Sequence, residues 1–176
     1  MIVSGSLDCF ETQTLTACGM TFLEFPAPDG GRSSAGGPID RRPNAAGDSV
    51  MIVEIDQANA IRARHGSAAC EQLAQAVAEC LRRRLRGGDR VALLRDDEFL
   101  AILPGAPRHE LAAIENRVRQ AIDGLRLSIA GTEWRLSCTI GSASASQLAE
   151  SSRRLDSLVR LADTALQRNR ARSITH

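Results

Sequence analysis

The stretch Arg86-Gly-Gly-Asp89-Arg-Val-Ala-Leu-Leu-Arg95-Asp96-Asp97-Glu98-Phe99 decides how the chain reads. It begins where a helical pattern ends. Leu73, Val77 and Leu81 recur at i, i+4 and i+8 within residues 68–85, forming one apolar helix face. Gly87-Gly88 stops that helix. The apolar run at 90–94 then predicts a strand, Arg95 to Glu98 an acidic turn, and residues 99–103 a second strand. Arg86 and Asp89 stand at the corner where the helix gives way to the strand, a spacing that lets a guanidinium and a carboxylate address one ligand.

Working outward, residues 50–55 are an apolar run suited to a buried strand. Residues 107–123 predict a helix that opens at a proline and ends at Gly124. Residues 125–129 and 134–140 predict strands around a turn at Gly131. Residues 153–170 predict a last helix, with Leu155, Leu158, Val159, Ala162 and Leu166 along one stripe. The order β-α-α-β-β-α-β-β-α predicts an α+β fold: a mixed sheet with helices on one face, which buries these stripes. This domain is expected to span residues 49–172. Residues 26–48, rich in Pro, Gly, Ser and Ala, read as a flexible linker or long loop. Residues 1–25 read as an N-terminal extension, with 20–25 as an extra strand.

The chain of 176 residues is long enough for one sizeable core. A net charge of +1 gives no electrostatic case for nucleic acid as a partner. All 22 positive side chains are arginines, so every cationic contact is a planar fork suited to guanine edges and phosphates. The five cysteines, Cys9, Cys18, Cys70, Cys80 and Cys138, are widely spaced, and none forms Cys-x-x-Cys. They read as small core residues of a reducing compartment. No apolar run approaches membrane-spanning length and no signal peptide is evident, so the expected location is cytoplasmic, without membrane insertion. His65, His109 and His176 show no ligand spacing.

The quoted stretch resembles the signature hairpin of GGDEF domains, the diguanylate cyclase family, whose turn reads Gly-Gly-Asp/Glu-Glu-Phe. Further matches keep the family's order and spacing: Leu103-Pro104 after the hairpin, Thr139-Ile140-Gly141, and Ala162-Asp-Thr-Ala-Leu-Gln-Arg-Asn-Arg170 near the end. The family's usual opening segment, Asp-x-Leu-Thr-x-Leu-x-Asn-Arg, is missing upstream of Val50. The resemblance implies a GGDEF, nucleotidyl-cyclase-like sheet flanked by helices. It also implies two separate sites.

The synthetic site departs from the family. Active cyclases join two GTP molecules across a homodimer with divalent metal, and their signature glycines admit phosphates to the backbone. Here the signature reads Arg95, Asp96, Asp97, Glu98. By position Glu54 and Asp97 fall on the metal carboxylates, Arg62 on the guanine-reading Asn and Glu71 on its partner Asp. Ala58-Asn59 replaces a Phe-Lys pair, Arg170 retains the charge of a late lysine, and Ile174 stands where an arginine is expected. The second site matches. In the family an Arg-x-x-Asp at this offset, completed by an arginine on the next helix, binds cyclic di-GMP; Arg86, Asp89 and Arg117 take these positions. Arginine suits guanine O6/N7, and a carboxylate accepts from N1/N2. The implied function is a catalytically inactive cyclic di-GMP receptor that requires no cofactor. It would signal through a protein partner or a homodimer, by analogy with regulators of bacterial exopolysaccharide and cellulose secretion. Two alternatives stay open: a residual metal-dependent cyclase using Glu54, Asp97 and Glu98 with Mg, and a protein-interaction module that ignores nucleotides.

Overall fold

A computed structural model describes residues 14–17, 20–24, 47–152 and 154–173. Strand β3 (Ser49–Ile55) is its axis and is buried at every position. It pairs on one side with β5 (Glu98–Leu103) and on the other with β8 (Cys138–Ser144). β4 (Arg90–Arg95) lies outside β5 as the other arm of the signature hairpin. Two further strands, β1 (Thr14–Ala17) and β2 (Met20–Glu24), extend this edge, because β2 pairs with β4 through Leu23 and Glu24. The sheet order is β1-β2-β4-β5-β3-β8. It is mixed in connectivity only, since every described pairing is antiparallel.

Alternation along β3 sends its side chains to two different layers. Met51, Val53 and Ile55 join Phe99, Ala101 and Leu103 under three helices, α1 (Ala58–His65), α2 (Ser67–Arg84) and α3 (Leu111–Asp123). Val50 and Ile52 join Leu100 and Ala143 under α4 (Leu155–Ser173), through Leu158, Val159, Ala162 and Leu166. Helices therefore cover both faces, which corrects the expectation of one. The physical signal was present: a half-exposed strand alternates, whereas β3 is apolar throughout its center and needs cover on both sides.

A second correction concerns residues 134–140. They are not one strand. Thr132–Arg135 is β7, which pairs only with β6 (Arg126–Ile129) in a separate ribbon, while β8 starts at Cys138. The chain breaks between them because Leu136 turns into the core and the Ser137 amide leaves the ladder for the Gln57 side chain, 2.8 Å away. The ribbon turns through Ala130 and Gly131, both at positive φ (47° and 77°), the pattern of a tight hairpin whose twist matches its strands. The helix expected from Pro107 opens with a 3-10 turn at Arg108–Glu110 before α3 proper. The linker expected at 26–48 lies outside the described residues except for its last two positions, as do most of residues 1–25, Cys9, Cys18, Ile174 and His176.

α4 sits unusually close to β8. A Cβ added at Gly141 would overlap the Ala162 carbonyl oxygen and the Leu166 amide nitrogen, with the Leu166 Cα at 2.7 Å. Only glycine admits this approach, which seats the helix that carries Arg170. Gly141→Ala is expected to cost about 2–3 kcal/mol in urea-induced unfolding, the upper part of the range for overpacking against backbone that cannot yield. A loss below roughly 0.5 kcal/mol, the scatter of ordinary surface changes, would show that this contact does not hold the helix.

Candidate functional site

Two clusters of charge lie at opposite ends of the signature hairpin. The first surrounds its turn. Glu54 and Glu98 are direct partners across β3 and β5, and each is only 5% exposed. Opposed like charges in a sheet are destabilising unless compensated. Each has its own guanidinium. Arg170 of α4 donates to Glu54 Oε1, and Arg95 Nη1 donates to Glu98 Oε1 at 3.3 Å. Burial dominates all the same. It raises both carboxyls above the ordinary carboxylate range, with Arg170 opposing at Glu54 and Arg95 at Glu98. Neighbouring Asp97 pushes both further in the same direction.

The turn itself is Asp96-Asp97, between paired residues Arg95 and Glu98, with a bulge between Leu93 and Arg95. Neither aspartate adopts positive φ, so the chain turns here without glycine. The Asp96 carboxylate meets Arg62 Nη2 of α1 at 2.8 Å. The neighbouring Cys70 side chain of α2 is the first cause of the raised Arg62 pKa. A bridge thus runs from the helix pair to the hairpin tip. Nearby, Asp56 accepts from Ser137 Oγ at 2.6 Å and Thr139 Oγ1 at 3.0 Å, tying the end of β3 to β8.

Glu54 spends Oε1 on Arg170, while its Oε2 is buried without a hydrogen-bond partner. Among the described residues no group of three or more His, Cys, Asp or Glu side chains is placed to hold a metal ion. The positive charge facing Glu54 is a guanidinium.

The second cluster lies at the corner between α2 and β4. Leu85 leaves the helix in an extended conformation, and residues 86–89 close a tight turn. The Asp89 amide donates to the Arg86 carbonyl at 2.9 Å, and the Arg86 amide donates to Asp89 Oδ2 at 2.8 Å. Asp89 therefore caps its own turn and leaves the Arg86 side chain alone. That side chain, 62% exposed, reaches instead to Glu110 Oε2 at 3.1 Å, just before α3. Burial raises the Asp89 pKa, opposed by the Arg86 amide and by the charges of Arg86 and Arg117. Arg117 stands on α3. Gly87 and Gly88 border open space: a Cβ added to either would meet nothing within 4 Å.

The structure joins Arg86 and Asp89 in one turn, with the charge of Arg117 acting on Asp89, and sets Glu54, Glu98 and the turn aspartates at the other end of the hairpin. Sequence reasoning missed three contacts: Arg62 with Asp96, Arg170 with Glu54, and Arg86 with Glu110. Only the last had a readable signal. Glu110 precedes Arg117 by seven residues, which puts both on one side of α3. Of the arginines before the corner, Arg83 and Arg84 are exposed, but Arg82 is half-buried and burial lowers its pKa. Cys70 and Cys138 are buried free thiols; burial pushes Cys138 up to about 12. His65 is half-buried edge-on to Trp134, with ring centroids 5.9 Å apart, and is not a surface histidine.

The raised carboxyls carry a signed consequence. A carboxyl whose folded pKa lies above its unfolded value stabilises the fold fully below the unfolded value and loses that contribution as pH rises through the folded one. The contribution of Glu98 is therefore lost as pH climbs out of the ordinary carboxylate range. Urea unfolding measured from about pH 4.5 to about pH 7.5 should show a shallower fall in stability for Glu98→Gln than for the native chain. An equal or steeper fall would mean that Arg95, and not burial, governs this carboxyl.

Residues 41–174 match the family described as diguanylate cyclase, GGDEF domain. An uncharacterized protein, y4lL, of Sinorhizobium fredii is 31% identical over 122 residues, covering 68% of this chain and 14% of its own. The present chain thus spans a small part of that relative. The GGDEF domain of YfiN from Pseudomonas aeruginosa superposes with a TM-score of 0.63 at 27% identity, over 70% of this chain and 76% of its own. The GGDEF domain of DgcB from Caulobacter crescentus, solved in complex with c-di-GMP, superposes with a TM-score of 0.62 at 17% identity, over 70% and 72%. Among the described residues no helix is long and apolar enough to cross a membrane. The family match runs through the signature hairpin, the central strand and the last helix alike, and the chain belongs to the diguanylate cyclase GGDEF domain family, whose members include proteins of cyclic di-GMP signalling.

Proposed function

We propose that this domain is a cyclic di-GMP receptor that does not synthesise the dinucleotide. The observation that carries the reading is the corner at residues 86–89. Arg86 and Asp89 share that turn, the charge of Arg117 acts on Asp89, and two glycines beside them border open space. An arginine fork fits the O6/N7 edge of guanine, a half-buried carboxylate accepts from N1/N2, and a second arginine answers the phosphates. Neither glycine adopts positive φ, so the turn does not demand them. Their lack of side chains leaves room for a base.

Loss of synthesis is supported by the other end of the hairpin. Arg62, at the family's guanine-reading position, pairs with Asp96, at a signature glycine, so two departures from the family close on each other across the cleft. Arg170 covers the Glu54 carboxylate. A triphosphate entering here would meet the Asp96 charge and have to part these pairs, without the contacts that would repay it. One feature favours a residual metal-dependent cyclase, namely the buried and unpartnered Glu54 Oε2. Magnesium at Glu54 and Asp97 would require Arg170 to swing away. A nucleotide-independent interaction module is the remaining reading.

As a receptor, the domain would act by population shift. The ligand bridges the corner to α3, or to a second copy of the domain, and favours a form that a protein partner recognises. Control of exopolysaccharide or cellulose secretion is the process suggested by analogy. Titration calorimetry with cyclic di-GMP should give micromolar binding or better, about −8 kcal/mol, and none in Arg86→Ala. Absence of heat and of any thermal shift at saturating ligand overturns the receptor reading. Incubation with GTP and magnesium should yield no dinucleotide, and any product revives the cyclase.

A further inference from the structure

We infer that Glu110 is a built-in competitor for the ligand at the arginine corner, holding Arg86 until an anionic dinucleotide takes its place. This rests on the receptor reading above and assigns a regulatory residue to the same site.

Glu110 closes the 3-10 turn Arg108–Glu110 and stands at the cap position of α3, where its negative charge suits the helix N-terminus. It makes no cap bond. Its carboxylate instead reaches across to Arg86 Nη2 at 3.1 Å. Asp89, the acid nearest Arg86 in sequence, bonds the Arg86 amide and not its guanidinium. The Arg86 fork is thus oriented from α3.

Around the corner stand the guanidinium of Arg86, the charge of Arg117 acting on Asp89, and the carboxylates of Asp89 and Glu110. Asp89 has a use toward a guanine edge, as an acceptor. Glu110 has none toward a ligand whose phosphates are negative, and it sits on the donors that the ligand needs. Like charges brought together at a binding surface are unfavourable. Since Arg86 is largely exposed and Glu110 partly so, their pair is of the weak, exchangeable kind. Binding is therefore an exchange: Arg86 leaves Glu110 for the ligand, and the turn that leads into α3 loses its tie to the mouth of β4. That release couples occupancy of the corner to the start of α3, the helix that also carries Arg117.

The test is calorimetry of the full chain with cyclic di-GMP, for the native protein and for Glu110→Gln, Glu110→Asp and Arg86→Ala, with a melting curve for each. Glu110→Gln removes the competing charge. Glu110→Asp keeps an acid at the helix start but shortens its reach toward Arg86, so it separates competition from any effect on the helix end. Glu110→Gln should bind roughly three- to tenfold tighter, Glu110→Asp should move in the same direction, and neither should lower the melting temperature by more than about 2 °C. Binding by Glu110→Gln and not by the native chain would be the same result in its strongest form. Equal or weaker binding by both Glu110 variants, with Arg86→Ala silent and the native chain binding, overturns the competitor and leaves the receptor reading standing. Silence of the native chain and of every variant removes both.

Discussion

The burial of β3 on both faces and both edges is the constraint on which this molecule is built. Ladders to β5 and β8 satisfy its backbone, and its side chains alternate between the layer beneath α1, α2 and α3 and the layer beneath α4. Such a strand has one stable register, because a slip of one residue would exchange its two side-chain sets. The register places Glu54 opposite Glu98 at the strand's end. It also places Gly141 of β8 against α4, and this close approach lets Arg170 reach Glu54. The geometry of the acidic end is thus a consequence of how the core closes.

The two ends of the hairpin show opposite uses of one side-chain type. At the turn, Arg62, Arg95 and Arg170 are each matched to an acid, and two of those acids are almost fully buried. Charges so placed are held by their partners, since parting them would leave a buried carboxylate uncompensated. At the corner, the Arg86 guanidinium is exposed and its partner can leave at little cost. The pair at the corner is exchangeable and the pairs at the turn are interlocked.

Much of the fold was legible along the chain. The helix ending before Gly87 stood out by its apolar period near 3.6, and the two arms of the hairpin by their unbroken apolar runs. Residues 134–140 misled for the converse reason. The run from Trp134 to Ile140 joins residues of two sheets, and the Leu136-Ser137 break depends on Gln57, 80 residues away, capturing the Ser137 amide. The single helical layer was a misreading of β3, whose unbroken apolar run called for cover on both faces. Arg86 and Asp89 could be read as a pair because their spacing is local, whereas Arg117 was assigned to them only through the family resemblance.

What the sequence determined by itself is most of the elements and the inventory of charged groups at each end of the hairpin. Partner choice was decided by the tertiary structure. Arg170 meets Glu54 across 116 positions, and Arg86 passes over Asp89 to meet Glu110, 24 positions on. The physical reason is that an ion pair depends on distances of a few ångströms, which local spacing specifies only for neighbours on one helix or turn. Beyond that range, core packing sets which charge arrives beside which.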